Sequence, residues 1–582
     1  MIAYTKLFYE MLGPKLLVLL GVMQIAAIIE GFGISLILPI IQGDQGSESR
    51  LAIMIDKGFD LISVSPNLTN TLIALVIFFT IRAALLIGQS RYQSIVLARH
   101  LTGMRVGFAK AIATAEYDYL NRQDTGVLSN VMSVEIERVN TALSYLLSFM
   151  IATTTALVYI GIALLIAPVV TIFLAALMTP IAIIMIYLNR MTSRVSWQLT
   201  DGSNKQQSMF LQMLRNMKYL KATGRYAPVV RRVITESKRV GGAYRQLTFL
   251  QGATTVGFQP IIVIVLASVI YFFVEVRETN VLEILFLLFI FRTAAVNIVA
   301  TQPAYRKFIG TSGSMKIYQE FKTKLENNKE PDTSSKPIPD FTSGLELRNV
   351  TYRYPDQEHP SVDNVSIKIP AKSTIAFVGP SGSGKSTTAN ILASILPPTS
   401  GEVLVGNHKY SNIDIGTIRD QTGYVTQESV VFNAPFEDNI LLWQKKNIDR
   451  PRLKKVIEET GLNKVSQSHS TNNNLGDNGT SLSGGERQRL SIARELYWDS
   501  ELLILDEATS SIDSLLKKQI DDVIDRQRGT KTIIIIAHRL STVRDADTIY
   551  VFENGKITES GSFNELVEAG GLFSHMAKLQ SF

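Results

Sequence analysis

Six apolar segments, near residues 16–41, 68–90, 141–166, 169–190, 250–274 and 281–301, fill the first half of this chain of 582 residues. Each is long enough for a bilayer, which takes about 20 residues per helical span. Lipid leaves a spanning backbone two solutions, a helix or a closed barrel, because every N–H and C=O must be paired internally. Runs of this length predict six helices. The third and fourth meet at Ala167-Pro168, so the link between them is very short. The segments after spans two and four are long, polar, Lys/Arg-rich and compatible with helix, as in Arg91 to Leu120 and Arg190 to Arg245. Their basic excess places them in the cytoplasm, and the N-terminus with them. Helices then run well past the bilayer into the cytosol, a shape suited to a device driven from its cytosolic end.

The remaining features of this half fit that reading. Met1 to Lys15 has no small-residue cleavage site and predicts an amphipathic helix on the inner membrane face. In the loop Gly43 to Asn67, Leu51, Met54, Ile55, Phe59 and Ile62 recur at helical spacing, which predicts a short external amphipathic helix. The formal charge of +7 is the cytoplasmic Lys/Arg bias and not a nucleic-acid footprint. The chain has no cysteine, which excludes disulfides, thiolate metal sites and a cysteine nucleophile.

Residues 326–344 turn polar and rich in Pro and Ser, as a linker does. Beyond 345, short β-type runs (Ser373–Val378, Leu502–Leu505, Thr532–Ile536) alternate with helical patterns. That alternation predicts an α/β domain with a mostly parallel sheet. The division is then an all-α six-helix transmembrane domain with long cytosolic extensions over 1–325, a linker over 326–344, and an α/β domain over 345–582.

Gly379-Pro-Ser381-Gly382-Ser383-Gly384-Lys385-Ser386 matches GxxxxGK[ST] in full, and Thr387 follows. It comes after the apolar strand Thr374–Val378 and opens a helix, the context that identifies a P-loop. The loop's N–H groups wrap phosphates, Lys385 supplies a point charge and Ser386 a ligand for Mg²⁺. Downstream, Leu502-Leu-Ile-Leu ends in Asp506 and Glu507. Asp506 is read as holding Mg²⁺ through its water shell and Glu507 as polarising the attacking water. Two acids at a strand end can also simply cap the next helix. Leu482-Ser483-Gly484-Gly485-Glu486 opens a further helix, an anion-binding N-terminus about twenty residues before the acidic strand.

This combination resembles the ABC ATPase signature. The C-terminal domain is similar to an ABC nucleotide-binding domain, and the six-span half resembles an ABC exporter membrane domain of the type IV fold. The resemblance implies ATP and Mg²⁺. It implies that Tyr354 stacks on adenine, that Gln427 meets Mg²⁺ and the water, and that Asp513 lies in the loop crossing to the partner site. His538 is then the switch histidine at the γ-phosphate. Glu486 stands where Gln is also common, and Asp477 where Glu is often found. In this family the signature of one domain completes the ATP site of another. One P-loop and one signature per chain imply a second copy, a homodimer with two equivalent sites; a heterodimer with a degenerate partner is the other arrangement. Two cytosolic turns, Tyr117 to Gly126 and Met217 to Tyr226, resemble coupling helices that meet the ATPase domain.

Three ionisable residues lie deep in the spans: Glu30, Arg82 and Arg292. Charges there are expensive and mark function. Arg82 and Arg292 are expected to line a cavity for an anionic, amphiphilic cargo with a phosphate-bearing head group. An internal Glu–Arg pair that only holds helices together is the alternative. Ala26 to Ile40, the external helix and Phe291-Arg292 resemble bacterial lipid-linked oligosaccharide flippases, while Gln259-Pro260 departs from that pattern. The expected function is ATP-driven movement of a lipid or lipid-linked glycan from the cytoplasmic side across the bacterial inner membrane, with both termini cytoplasmic. Peptide, lipopeptide or drug export is the alternative in the same class, and an ATP-gated channel or regulator the alternative in another. Membrane lipids and a second copy are the partners; nucleic acid is not.

Overall fold

The computed structural model of the chain describes residues 13–36, 59, 67–257, 259–276, 281–333, 336, 341–355, 357–469, 473–507, 514–537 and 539–580. The N-terminal helix and the external helix expected from the sequence lie outside these residues, apart from 13–15 and Phe59. The chain forms two compact units. One comprises Met1–Lys110 and Thr125–Lys324, the other Ala111–Asp124 and Leu325–Phe582.

The first unit is built of helices: α1 (Pro14–Ser35), α2 (Leu68–Ala113), α4 (Ile136–Ile166), α5 (Pro168–Arg215), α6 (Met217–Ala222), α7 (Tyr226–Val256), α8 (Gln259–Tyr271) and α9 (Val281–Asn327). The short helix α3 (Tyr117–Arg122) falls in the second unit. At about 1.5 Å per residue α2 is about 69 Å long, more than twice the roughly 30 Å hydrocarbon core. Among the described residues four helices are long and apolar enough to cross a membrane, and the apolar stretches Pro168–Pro180 and Val263–Val276 are shorter. Leu72, Ile73, Val76, Ile77 and Ile87 of α2 point outward and exposed, as lipid-facing residues do. The inward side is a packed core. Tyr159, Ile162 and Ala163 of α4 meet Leu174 of α5, Val269 of α8, and Leu287 and Ile290 of α9.

A single residue, Ala167, separates α4 from α5. Pro168 starts α5 because it lacks the N–H that a first-turn position leaves unused. Thr171 fastens the corner, its Oγ1 donating to the carbonyls of Ala163 and Ala167 at 3.0 and 2.8 Å. The fifth apolar segment is not one helix. The Gly257 N–H closes α7 on the Ala253 carbonyl at 2.9 Å, and α8 restarts at Gln259 with Pro260 as its second residue. Proline can begin a helix but cannot donate within one, so Gln259-Pro260 splits the span.

The second unit holds two sheets. The smaller is antiparallel with strand order β2 (Val362–Ile369), β1 (Leu345–Tyr352), β4 (Ser400–Val405), β5 (His408–Lys409). The larger has the order β10 (Lys556–Gly561), β9 (Thr548–Glu553), β3 (Thr374–Val378), β8 (Thr532–Ile536), β7 (Leu502–Asp506), β6 (Thr422–Val425). From β9 to β6 the pairings are parallel. Strands β3, β7 and β8 are buried at every position, as parallel strands covered on both faces must be. Val378, Asp506 and Ile536 therefore end three neighbouring strands at one edge, where open α/β sheets bind ligands.

The stretch after α9 is pinned at its start. Ala115 bridges Lys329 in antiparallel register. The Glu116 N–H donates to Asn328 O at 2.8 Å, and the Glu330 N–H to Thr114 O at 2.9 Å. The Glu330 carboxylate receives both terminal nitrogens of Arg419, at 2.7 and 2.8 Å.

Candidate active site

The P-loop lies between the end of β3 and helix α10 (Lys385–Leu392). Two glycines are obligatory there. Gly379 has φ 141° and Gly384 φ 103°. A Cβ would stand 2.1 Å from Phe552 O at Gly379 and 2.4 Å from Ser361 O at Gly384. Side chains at these points would push the loop off its scaffold and close the cradle. Gly382 supplies a further left-handed residue, φ 77°. Ser381 is exposed, whereas Ser383 is buried. Ser386 and Thr387 occupy the first turn of α10, where N–H groups have no intrahelical acceptor and meet phosphate readily.

Lys385 is buried and folded over the loop. Its Nζ donates to Gly379 O at 2.9 Å and Pro380 O at 2.8 Å. Burial lowers its pKa, while Glu507 and Asp506 pull it back up, which places both carboxylates within electrostatic reach of the amine. Asp506 is buried at the end of β7. Glu507 turns into the left-handed region, φ 50°, at a cost of about 1–3 kcal/mol for such a conformation. Two hydrogen bonds hold that turn. The Glu507 N–H donates to Ile536 O at 3.1 Å, and the Glu507 carbonyl accepts from Gln488 Nε2 at 3.0 Å. A cation cradled by glycine loops beside two strand-end acids fits a nucleotide triphosphate with its metal.

The signature opens helix α11 (Gly484–Trp498), with Leu482 buried just before it and Gly484 and Gly485 in its first turn. Ser483 and Glu486 form a reciprocal cap. The Glu486 N–H donates to Ser483 Oγ at 3.3 Å, and the Ser483 N–H to Glu486 Oε2 at 2.7 Å. That Ser483 N–H holds the Glu486 carboxyl below its ordinary pKa. Ser483 Oγ also donates to Glu486 Oε2 at 2.8 Å. Tyr354 is half-buried and meets Tyr352 edge to face, centroids 4.9 Å apart. Burial, and after it Asp118 of α3, raise the pKa of the Tyr352 phenol, so α3 lies against this strand end. Gln427 is exposed beyond β6. Asn433 Nδ2 donates to Asp477 Oδ1 at 2.9 Å. Asp513 and His538 lie outside the described residues.

Gln488 was not among the residues singled out from the sequence. A glutamine four positions inside a helix start carries little signal; only its reach to the Glu507 carbonyl reveals its place. The Arg419–Glu330 clasp is likewise invisible in sequence, because 89 residues separate its partners.

In the first unit, Arg82 Nη2 and Glu30 Oε1 are 2.7 Å apart. Together with Gln89 and Asn297 they line a cavity of about 200 Å³. The structure does not bring Arg292 to it. Arg292 and Asn297 share α9 but are five residues apart, about 140° around a helix at 3.6 residues per turn. With Asn297 facing the cavity, Arg292 faces away and is exposed. The turn helix α6 lies in this unit, with Leu220 buried and Tyr219 exposed.

Residues 16–298 match the ABC transporter transmembrane region, and residues 362–510 match the ABC transporter family model. Over 585 aligned residues the chain is 27% identical to a protein of Burkholderia orbicola named ATP-dependent lipid A-core flippase, covering 98% of this chain and 95% of that one. Proteins of the same name from Cupriavidus pinatubonensis and Escherichia coli K12 are 36% and 37% identical. In those two alignments the chain spans 43% and 46% of its relatives' length, less than half. A solved bacterial Atm1-family ABC exporter with ATP bound shares the fold, with a TM-score of 0.72 at 20% identity over 96% of this chain and 97% of that one. The two family regions follow one another along the two units just described, and the chain thus belongs to the ABC transporters: a multi-pass membrane domain joined to an ATP-binding domain whose ATPase activity is coupled to transport.

Proposed function

We propose that the chain is one half of a homodimeric exporter that flips an anionic lipid or lipid-linked glycan outward across the bacterial inner membrane, with both termini in the cytoplasm. The observation that carries the energy-coupling part is the setting of Lys385, buried between loop carbonyls and the acids ending β7. In this reading Lys385 and the N–H groups of residues 382–387 hold the phosphates, and Tyr354 stacks on the base. Ser386, Gln427 and Asp506 would hold Mg²⁺, which would supply neutralising charge for phosphoryl transfer. Glu507 orients the attacking water, with His538 at the γ-phosphate. Leu482 to Glu486 and Asp513 serve the partner's site, since one chain carries one P-loop and one signature. ATP closes the two nucleotide domains and hydrolysis releases them, a ligand-biased two-state switch.

The cargo class rests on the relatives' name, lipid A-core flippase, and on charge set deep in the spans. Arg82 is neutralised by Glu30 in this state, so cargo phosphate reaches the Arg82 fork by displacing the Glu30 carboxylate. Export of a peptide, lipopeptide or drug is the second reading, favoured if the Glu30–Arg82 pair stays closed during turnover.

The test is ATPase rate in proteoliposomes with and without candidate cargo, beside a Glu507→Gln control. Stimulation by lipid A-core or polyprenyl-pyrophosphate glycans, and not by peptides or drugs, is expected. Stimulation by peptides or drugs alone overturns the cargo reading. A rate equal to that of Glu507→Gln overturns the enzyme roles assigned here.

A further inference from the structure

A second cavity in the first unit, about 350 Å³, opens where the start of α1, the part of α2 beyond its apolar run, and the end of α9 converge. Among the described residues its charged lining is of one sign. Lys15 stands in the first turn of α1, Arg99 and His100 on α2, and Lys322 near the end of α9. No carboxylate is among the described residues that line it. Tyr318 forms part of the wall, buried and resting on the Phe108 ring with centroids 6.1 Å apart. His100 is buried, and its Nδ1 shares a hydrogen bond with Asn140 Oδ1 at 3.2 Å.

Gly103 lines the same cavity from the interior of α2. Glycine within a helix costs about 1 kcal/mol relative to alanine. Nothing lies within 4 Å of the place its Cβ would take, so no close-packed neighbour requires the missing side chain. What its absence does is keep the cavity open.

The level of the cavity follows from the chain. Lys15 begins the first span, and the apolar run of α2 ends near residue 90. Tyr92 to Met104 covers the next 18 Å or so of helix, at about 1.5 Å per residue. The cavity therefore lies at one membrane boundary, the cytosolic one under the Lys/Arg rule. Basic pockets between spanning helices at that level receive phosphate head groups, and the planar fork of Arg binds phosphate through two parallel hydrogen bonds.

We propose that this cavity is a binding site for a phosphate-bearing anion, separate from both the nucleotide site and the Glu30–Arg82 cavity. Arg99 and Lys15 supply the charge, and Gly103 supplies the room. The site does not depend on which cargo the transporter moves. A lipid head group and free phosphate offer the same chemistry, and the experiment tells them apart.

The full-length protein is placed in phosphatidylcholine nanodiscs and titrated with water-soluble dioctanoyl phosphatidylglycerol and, separately, with inorganic phosphate. Binding is read by microscale thermophoresis. Saturable binding is expected, weakened at least tenfold by Arg99→Gln combined with Lys15→Gln, and again by Gly103→Leu, which fills the cavity and leaves its charges. Basal ATPase near wild type shows that the variants are folded; if Gly103→Leu loses it, Gly103→Ala takes its place. Saturation by the lipid alone assigns a head group, and equal saturation by phosphate assigns a free anion. Either supports the site. No saturation by either probe overturns it, as does weakening in only one of the two variant types.

Discussion

The two units hold charge in opposite ways. Arg82, in the membrane unit, has its guanidinium 2.7 Å from the Glu30 carboxylate, so the pair is closed without help from outside. Lys385, in the nucleotide unit, donates to neutral carbonyls, and the two acids that balance it stand at the end of another strand. The first arrangement cancels charge inside the protein, as a low-dielectric surrounding demands. The second keeps positive charge and positive helix-end dipoles aimed at one place, for a ligand carrying several negative charges. The nucleotide site leaves its electrostatics incomplete for its ligand; the span completes its own, and cargo phosphate would have to displace the Glu30 carboxylate to reach Arg82.

The largest expected effect tests the incomplete side. Glu507→Gln is expected to lower the ATPase rate by about 10²–10⁴, the usual range for a positioned acid–base group, while ATP binding persists. Phosphate release and nucleotide binding, measured on the same preparation, check this. A rate within a few fold of wild type would move the chemistry away from the end of β7.

The completed side is next. Arg82→Gln leaves the half-buried Glu30 without its partner deep in the spans, and is expected to lower the unfolding midpoint. The double variant Glu30→Gln/Arg82→Gln is expected to recover most of that loss in thermal unfolding measured in nanodiscs. Transport then sharpens the comparison. A stable double variant that no longer moves cargo makes the pair a cargo contact; one that transports normally makes it structural.

A smaller effect concerns the residue that the sequence hid. Gln488→Ala removes the donor to the Glu507 carbonyl and loosens a turn already held at φ 50°. About tenfold in kcat is expected, roughly the 1.4 kcal/mol that one hydrogen bond can contribute. KM for ATP should stay unchanged, because the bond that Gln488 makes goes to the Glu507 carbonyl. A rise in KM with kcat intact contradicts a positioning role.

What was legible in the sequence divides along the same line. The nucleotide unit is written in local motifs. A strand, a glycine turn and a helix start carry the P-loop, and an apolar strand with two acids carries β7, so Lys385, Asp506 and Glu507 could be named from spacing alone. The membrane unit is written in hydropathy, which gives helices but not their rotation. Glu30, Arg82 and Arg292 could be picked out as unusual, yet only the helix phase on α9 shows that Arg292 turns away from the cavity. Hydropathy reads 250–274 as one helix; the break at Gly257 goes against it, and Pro260, which cannot donate within a helix, is its physical reason. Contacts made across long sequence distances, such as Arg419 with Glu330, have no local signature at all.

The smallest effect is a pH dependence with an inverted sign. Glu495 sits on α11 against β6. Burial raises its pKa to about 7 from an ordinary value of 4.5, against the lowering effects of Arg494 and of a hydrogen bond from the Tyr424 backbone. Arg494 is turned away, its Nε and Nη2 given to the carbonyls of Asn439 at 2.7 Å and Val430 at 2.9 Å. Below about pH 4.5 both folded and unfolded chains carry the Glu495 proton. Between there and about 7 the folded chain keeps a proton that the unfolded chain has released. The stability this group contributes is therefore fully present below 4.5 and is lost as pH climbs through 7. Asp499 runs the other way. The Arg452 hydrogen bond depresses its pKa, with Lys531 adding to this, so its contribution is lost as pH falls. Glu495→Gln keeps the shape and an acceptor for Tyr424 without the charge. It is expected to raise the unfolding midpoint by a few degrees at pH 8 and by almost nothing near pH 5. Equal shifts at the two pH values would mean that packing, and not the buried proton, sets the effect. The seam between the signature helix and the strand leading to Gln427 would then be as electrostatically closed as the Glu30–Arg82 pair.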